Sequence, residues 1–587
     1  MNLPLQAYWD LLARHIRPQR ARFALLSVLL LGSIGLQVLN PQIMRAFIDA
    51  ALGGEAASRL MIAAAAFIGI ALLQQGVSVG VTYLGEAVAW TATNALRAEL
   101  ARHCLNLDMG FHNDHTAGEL IERIDGDVAE LSNFFSQFVV ILIGNFLLLV
   151  GILAALFRED WRAGLAFTIF AVAGILALNR VRDIAMLDKK ASRQAEADLF
   201  GFVEEQLAGT EDIRASGAQA FSLRELYRLQ SSILRHERKA QFKSWIIGNV
   251  MAILLALGNI LAIAGGYFLF TGGAITVGTV YLFVHYINLL EQPIWTLTHE
   301  VQSFQTIGAC VERLSELLKL QSRVRDGGGK GLPSGPLSLA FEGVSFAYNG
   351  SKPDQETRPV LADLSFCLAP GAVLGLLGRT GSGKTTLARL VFRLYEPTSG
   401  LIRLDGAEIR QASLRALHSR VAMVTQEVQL FQGSLRDNLT FFDRTISDRR
   451  IEAAFDALGL EDWYRALPAG LDTLVEAGGR SLSAGEAQML ALTRVFLRDP
   501  GLVILDEASS RLDPATEVRL ERAIERLLQD RTAIIIAHRL GTLQRAGEVM
   551  ILEEGRVLEW GDRLKLAGDP ASHFHRLLQT GLEEVLA

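Results

Sequence analysis

Eight consecutive residues, Gly378-Arg379-Thr380-Gly381-Ser382-Gly383-Lys384-Thr385, have the types and the spacing to hold a polyphosphate. Backbone N–H groups in such a glycine-rich loop point inward and wrap anionic oxygens, and a following helix adds the partial positive charge of its N-terminus. Lys384 reaches the β- and γ-phosphates, Thr385 offers its hydroxyl to Mg²⁺, and Thr386 extends the set. A second run, Leu502-Val503-Ile504-Leu505-Asp506-Glu507, is an apolar stretch ending in two carboxylates. Asp506 is placed to hold Mg²⁺, usually through water. Glu507 is placed to polarise an attacking water, as a general base or an orienting group. A strand ending in Asp-Glu reads equally well as a surface turn, and it gains its meaning only beside the phosphate loop.

Both runs need a scaffold that brings them to one edge. Val373 to Leu377 is apolar and directly precedes the loop, and Leu387 to Phe392 follows it with helical character. This is the strand–loop–helix context that such a motif requires. Strands of a parallel sheet are buried on both faces and read as unbroken apolar runs, and ligands bind beyond their carboxyl ends.

With these two motifs in place the C-terminal part resembles an ABC-type ATPase. Leu482-Ser483-Ala484-Gly485-Glu486 stands where that family has its LSGGQ signature, and Ser510-Arg511-Leu512-Asp513 resembles its D-loop. His538 after the apolar run 533–537 matches the H-loop histidine, Gln426 matches the Q-loop, and Tyr348 matches the aromatic that stacks on adenine. The markers cover residues 338 to 580 in the family's order. The resemblance implies that Tyr348 stacks on the base and that Lys384 and the loop amides hold the phosphates. Thr385 and Gln426 complete the metal shell with Asp506, and His538 senses the γ-phosphate. Ser483 and Gly485 close over a nucleotide bound to the opposite subunit. ATP and Mg²⁺ are the implied cofactors. Family members bury two ATP molecules between two such domains, so one copy per chain implies a dimer.

The chain has 587 residues, 50% of them hydrophobic, a net charge of −6 and a mean hydropathy of +0.27. Composition gives no reason to expect nucleic acid. Cys104, Cys310 and Cys367 have no paired spacing, so they read as reduced thiols or small buried hydrophobes. Arg17, Arg20 and Arg22 precede the first apolar stretch and no cleavable signal is evident. Six apolar stretches, near 23–46, 60–84, 135–157, 161–181, 245–270 and 277–297, approach or exceed the ~20 residues that cross a bilayer as a helix. Segments 47–59, 158–161 and 271–276 are short and poor in Lys and Arg, whereas 91–133 and 182–244 are long and rich in both. The positive-inside bias puts both termini and the ATP domain in the cytoplasm. Compact size, short outer loops and few cysteines lean toward a bacterial inner membrane.

The long inner loops read as extensions of the spanning helices. Residues 111–120 and 209–218 resemble the two coupling segments of ABC exporters, and 271–280 resembles the hairpin between their fifth and sixth spans. The implied fold class is an all-α six-helix transmembrane domain followed by an α/β P-loop ATPase domain with a helical subdomain and an antiparallel β subdomain. The domains are 1–320 and 338–587. Residues 321–337 carry five glycines and two prolines and read as a flexible linker. Pro293 is expected to kink or loosen the sixth span. Asn145, Asn249, Asn259, His285, Tyr286, Asn288 and Glu291 are polar groups within spans, serving either as interhelical hydrogen-bonding groups or as lining of a substrate pathway. Phe138, Phe146, Phe283 and Trp295 suit either a pathway or a lipid face. No dense charge cluster lies mid-membrane, which favours an amphipathic small molecule, lipid or peptide over an ion.

Three departures from the family bear on mechanism. Glu486 replaces the usual glutamine and Ala484 the usual glycine, and Ala477 stands where a glutamate is usual. A carboxylate beside the phosphates is repelled unless it is protonated or turned away. With Glu507 and His538 intact, the chain reads as one half of a heterodimer with one efficient and one impaired ATP site, with a homodimer as the other possibility. The expected activity is ATP-driven export or flipping. An ATP-gated channel or regulator, and an importer on the same fold, are the alternatives.

Overall fold

The structure is a computed structural model that describes the chain apart from residues 1–13, 16, 137–140, 182–183, 185, 300, 330, 349–358, 477–481, 507–513, 538–542 and 581–587. It divides into two compact units, Met1–Leu105 with Ala117–Lys319, and Asn106–Thr116 with Leu320–Ala587.

The first unit consists of long helices: α1 (Arg20–Leu52), α2 (Ala57–Leu105), α3 (Asp127–Ser136), α4 (Gly144–Glu159), α5 (Trp161–Val181), α6 (Met186–Ala208), α7 (Gln219–Thr271), α8 (Val277–His299) and α9 (Val301–Lys319). Five helical segments among the described residues are long and apolar enough to cross a membrane: 17–52, 57–105, 141–159, 161–181 and 219–271. The sixth expected span, α8, has the length but is more polar, because it carries His285, Asn288, Glu291 and Gln292. Its neighbours explain how it affords them. Helix α8 packs against α1, α4, α5 and α7. Leu282, Phe283, Tyr286, Ile287, Leu290 and Ile294 form its buried face. A helix held on one side by protein need not be apolar all round. It continues unbroken through Pro293.

Helices α2 and α7 run 49 and 53 residues, well beyond a bilayer's need, as expected of spans that continue into the inner loops. A short helix, Thr210–Ala215, lies between α6 and α7, within the expected second coupling segment. Polar bonds tie the other ends of the spans. Asp49 accepts from the Gly278 backbone N–H (2.9 Å) and the Thr276 hydroxyl (2.7 Å), and Arg45 pairs with Glu159. Tyr286 donates to the Val38 carbonyl (2.8 Å). Asn145 and Asn249 donate to carbonyls four residues back, at Ile141 and Trp245, so their own helices satisfy them.

The second unit contains two principal sheets and a two-stranded pair, β7 Gly433–Ser434 with β8 Leu474–Val475. A four-stranded antiparallel sheet has the order β2-β1-β4-β5, with β1 Leu339–Phe346, β2 Leu361–Leu368, β4 Ser399–Leu404 and β5 Ala407–Glu408. A six-stranded sheet has the order β12-β11-β3-β10-β9-β6, with β3 Val373–Leu377, β6 Val421–Val424, β9 Leu502–Asp506, β10 Thr532–Ile536, β11 Glu548–Glu553 and β12 Arg556–Asp562. Strands β11, β3, β10, β9 and β6 are parallel, and β12 closes the edge antiparallel. Both faces of the parallel strands are covered. Leu374, Leu376, Ile504 and Ile534 enter one core, and Leu377, Val503, Leu505 and Ile535 enter the other. That double burial is why these strands read as apolar runs.

Residues 321–337, expected as a flexible spacer, are fastened along this unit. Arg393 donates to the Arg325 carbonyl (2.7 Å), Arg420 donates to the carbonyls of Pro333 (2.9 Å) and Gly335 (2.6 Å), and the Leu414 N–H donates to Asp326 (3.0 Å). Glycine serves here for close approach, since a Cβ on Gly327 or Gly329 would run into the Arg410–Gln411 backbone.

Candidate nucleotide site

The glycine-rich loop leaves the carboxyl end of β3, an interior strand flanked by β11 and β10, and feeds helix α10 (Lys384–Val391), which begins at Lys384. Two glycines are required by geometry. Gly378 has φ +148° and a Cβ there would meet the Leu552 carbonyl, while Gly383 has φ +103° and its Cβ would lie 2.5 Å from Leu361 Cδ2. The turn therefore admits no side chain at either position without strain. Lys384 is buried, and its Nζ donates to the carbonyls of Gly378 (2.6 Å) and Arg379 (3.0 Å) across the mouth of the loop. The Ser382 hydroxyl is buried without a hydrogen-bond partner among the described residues. An orphaned buried donor in a loop of inward amides is what a bound phosphate oxygen would satisfy.

Thr385 and Asp506 converge although 121 residues separate them, with Thr385 Oγ1 donating to Asp506 Oδ2 at 3.4 Å. Adjacent parallel strands β3, β10 and β9 place both at the same sheet edge. A hydroxyl and a carboxylate are the hard oxygen donors that suit Mg²⁺, so the residues present fit that ion. Gln426 follows β6 at the same edge and is solvent-exposed. Glu507, Asp513 and His538 lie outside the described residues.

Tyr348 follows β1 and is partly exposed. Its hydroxyl bonds with Thr386 Oγ1 (3.0 Å) and accepts from Arg389 (3.4 Å), and its ring meets Tyr395 edge-on at 5.1 Å and 90°. Perpendicular ring contacts and the bonds at its hydroxyl thus hold Tyr348 in place. Sequence reading did not single out Tyr395; its second partner, Asn113, lies on the short helix Met109–Asp114, within the expected first coupling segment. Asn113 Nδ2 donates to the Tyr395 hydroxyl at 2.6 Å. A groove of about 640 Å³, lined by residues that include Asp108, Phe111, Arg323, Tyr348 and Tyr395, runs between that helix and the tyrosines.

The segment Ser483–Glu486 opens the next helix of the lobe. Ser483 is the N-cap of the helix Ala484–Arg498 and accepts from the Glu486 N–H, while Glu486 accepts from the Ser483 N–H at 2.7 Å. This reciprocal pair is a capping box. The other Glu486 oxygen accepts from the Trp463 indole N–H at 3.1 Å. Partial burial alone would raise the Glu486 pKa, but the Ser483 and Trp463 bonds outweigh it and hold the carboxyl below its ordinary range. Glu486 is therefore ionised and committed to its own helix start. Both of its oxygens are thus occupied within this lobe, one by the Ser483 N–H and one by the Trp463 indole. Ala484 is exposed and Gly485 buried.

Further along that helix, Arg494 is buried. It donates to the Asn438 carbonyl (2.6 Å), the Asn438 side chain (3.0 Å) and the Gln429 carbonyl (3.0 Å), and it lies 4.8 Å over the Phe441 ring. Burial and the neighbouring Arg498 lower its pKa to about 10, which leaves it cationic at neutral pH. It joins the helix that begins at Ser483 to the segment that follows Gln426. Sequence reading passed over it because nothing local marks a lone arginine in a helix.

Comparison with known proteins decides the family. Residues 361–510 match the model of the ABC transporter family and residues 23–294 that of the ABC transporter transmembrane region. The ATP-dependent lipid A-core flippase of Thiobacillus denitrificans is 30% identical over 556 residues, covering 93% of this chain and 94% of that protein. The chain belongs to the ABC transporters. The protein of the same name from Burkholderia orbicola is 29% identical to this transporter over 92% of its length and 90% of the relative's. The structure of a bacterial Atm1-family ABC exporter with ATP bound shares the fold, with a TM-score of 0.78 over 96% of this chain and 98% of that one, at 22% identity. This transporter is thus a multi-pass membrane protein whose ATPase lobe and membrane region share one chain, and it binds and hydrolyses ATP to drive transport.

Proposed function

We propose that the transporter exports or flips an amphipathic, lipid-like substrate, working as half of a dimer in a bacterial inner membrane with both termini in the cytoplasm. The observation that carries this is the union of a phosphate loop and its Thr385–Asp506 pair with apolar helices long enough to span a bilayer. The names of the flippases it resembles over nine-tenths of their length support the substrate class.

Tyr348 stacks on adenine, and Lys384 with the amides of residues 378–386 holds the phosphates. Thr385, Asp506 and Gln426 hold Mg²⁺, which when bound neutralises phosphate charge. Glu507 orients the attacking water, His538 senses the γ-phosphate, and the Ser483–Gly485 segment closes over the partner's nucleotide with Asp513 at the contact. Nucleotide binding draws two lobes together, the segments around Asn113 and Thr210–Ala215 pass the motion on, and the bundle switches from inward- to outward-facing. Hydrolysis resets it.

A heterodimer with one impaired site remains the reading that Ala477 and Ala484 favour. The ionised, inward-turned Glu486 favours a homodimer instead, because it removes the repulsion that argued for impairment. Reconstitution of the chain alone into liposomes tests both. Mg-ATP should move a fluorescent phospholipid between leaflets, and Glu507→Gln should bind ATP normally while hydrolysis falls at least 100-fold. No ATP-dependent movement by the chain alone, with movement restored by a second half-transporter, would establish the heterodimer. No movement in either case would overturn the function.

A further inference from the structure

Helix α8 has a face unlike that of the other candidate spans. Exposed apolar side chains dominate elsewhere: Leu25, Val28 and Leu31 on α1, Ile62, Ile68 and Leu72 on α2, Ile253, Leu257 and Ile260 on α7. These suit contact with lipid tails. On α8 the exposed residues include Tyr281, Asn288, Glu291, Gln292 and Trp295, with His285 half-buried among them. They recur every three or four residues, so they form one stripe along the helix. Tyr281 and His285 stack at 5.9 Å, and Asn288 meets Asn259 of α7, with Nδ2 of Asn259 3.3 Å from Oδ1 of Asn288.

A stripe of amides, imidazole and carboxylate facing hydrocarbon would be costly, and ionisable groups within membranes face a bundle interior or a water-filled cavity. The stripe therefore lines a passage. Glu291 lies fourteen residues into α8, about 21 Å along its axis at the rise of an α-helix. It is the only Asp, Glu, Lys or Arg in residues 245–271 and 277–299. No ion-pair partner meets it among the described residues.

We propose that Glu291, on the polar stripe of α8, selects amphiphiles with a cationic headgroup over anionic ones. The inference rests on the export reading above and adds the sign of the cargo. The indole of Trp295, one turn beyond Glu291, gives a second attraction for a cation, through the negative face of its ring. Amides at Asn259, Asn288 and Gln292 supply neutral hydrogen bonds, and neither segment offers a fixed positive charge to meet a phosphate or carboxylate.

Tetraphenylphosphonium and tetraphenylborate have nearly the same shape and opposite charge. Each is measured separately, radiolabelled, by equilibrium dialysis against full-length protein in lipid nanodiscs, with empty nanodiscs subtracted. We expect saturable, protein-dependent binding of the cation, weakened about tenfold in Glu291→Gln and retained in Glu291→Asp, while binding of the anion is not weakened by Glu291→Gln. Size-exclusion elution at the wild-type position confirms that each variant is folded. Protein-dependent binding absent for the cation, unchanged in Glu291→Gln, or matched by the anion with the same response to the variant, overturns the proposal. These results concern charge preference alone. Failure of the export reading shows instead as the absence of any ATP-driven movement of phospholipid.

Discussion

Asn113 donates to the Tyr395 hydroxyl at 2.6 Å, and the Tyr395 ring meets that of Tyr348 edge-on. Two side chains thus separate the short helix Met109–Asp114 from the proposed adenine platform. Tyr395→Phe keeps the ring and removes the bond. Asn113→Ala removes the bond from the other side. Both should lower the ratio of substrate-stimulated to basal ATP hydrolysis several-fold, and the double variant should be no worse than either single one, because they break one interaction. Tyr395→Ala should in addition raise the half-saturating ATP concentration, since Tyr348 loses its lateral support. Steady-state ATPase assays in nanodiscs read all of these.

Trp463→Phe removes the indole donor to the Glu486 carboxylate while keeping the edge-on contact with Phe455. A hydrogen bond to a charged acceptor contributes about 1.5–3 kcal/mol, so the midpoint of thermal unfolding should fall by a few degrees. Glu486→Gln should cost about 1–3 kcal/mol, because its single amide oxygen can complete the capping box or accept from Trp463 while the amide NH2 faces the other donor. Its ATPase rate should stay within about twofold of wild type. A large gain in rate would mean that the carboxylate does obstruct the nucleotide.

Arg494 satisfies two backbone carbonyls and one side-chain oxygen. Arg494→Met fills similar volume but strands those acceptors, and a loss of about 3 kcal/mol is expected. Calorimetry of the full chain checks it. Arg494→Lys should recover only part, since a single ammonium cannot match the forked geometry.

The three thiols differ sharply in access. Cys367 is exposed, whereas Cys104 and Cys310 are buried. Burial and the nearby Asp127 push Cys310 up to about 11, so almost none is thiolate at pH 7.5. A maleimide at that pH should label one site on the native chain and three after unfolding. Peptide mapping should place the native label at Cys367.

His418 stacks on Phe392 at 4.6 Å and bonds to the Phe392 carbonyl at 3.1 Å. Burial, the largest cause, lowers its pKa below the usual 6.5, and Arg498 and Arg393 act in the same direction. The unfolded chain therefore binds this proton more readily than the folded one. Stability from this site is complete above about pH 6.5 and declines as pH falls below it. His418→Gln should flatten the unfolding profile between pH 7.5 and 5.5.

The nucleotide loop and the apolar strands β3 and β9 were legible in the sequence. Each is a contiguous run whose residue types answer to local geometry. The Thr385–Asp506 approach was also foreseeable, since parallel strands bring their carboxyl ends to one edge. Other contacts depend on chain segments that only the fold brings together. Asn113 and Tyr395 are 282 positions apart, Arg494 and Asn438 are 56 apart, and Trp463 and Glu486 are 23 apart. No local pattern announces such partners. The bond that directs the Glu486 carboxylate was hidden for that reason, because its donor is an indole from another helix. The polarity of α8 was legible residue by residue, but the sidedness of its stripe emerged only when its buried face was known.

Helices α2 and α7, at 49 and 53 residues, measure about 74 and 80 Å at 1.5 Å per residue, against a hydrocarbon layer of about 30 Å. Each is a single unbroken helix, about half of whose residues lie beyond its apolar stretch. A push at the wet end has no joint in which to dissipate, so it must arrive in the bilayer as tilt or as rotation of the whole shaft. The stroke is then fixed by leverage, and a glycine pair set into either projecting shaft would act as a clutch, letting the machine burn fuel while its cargo stays where it is.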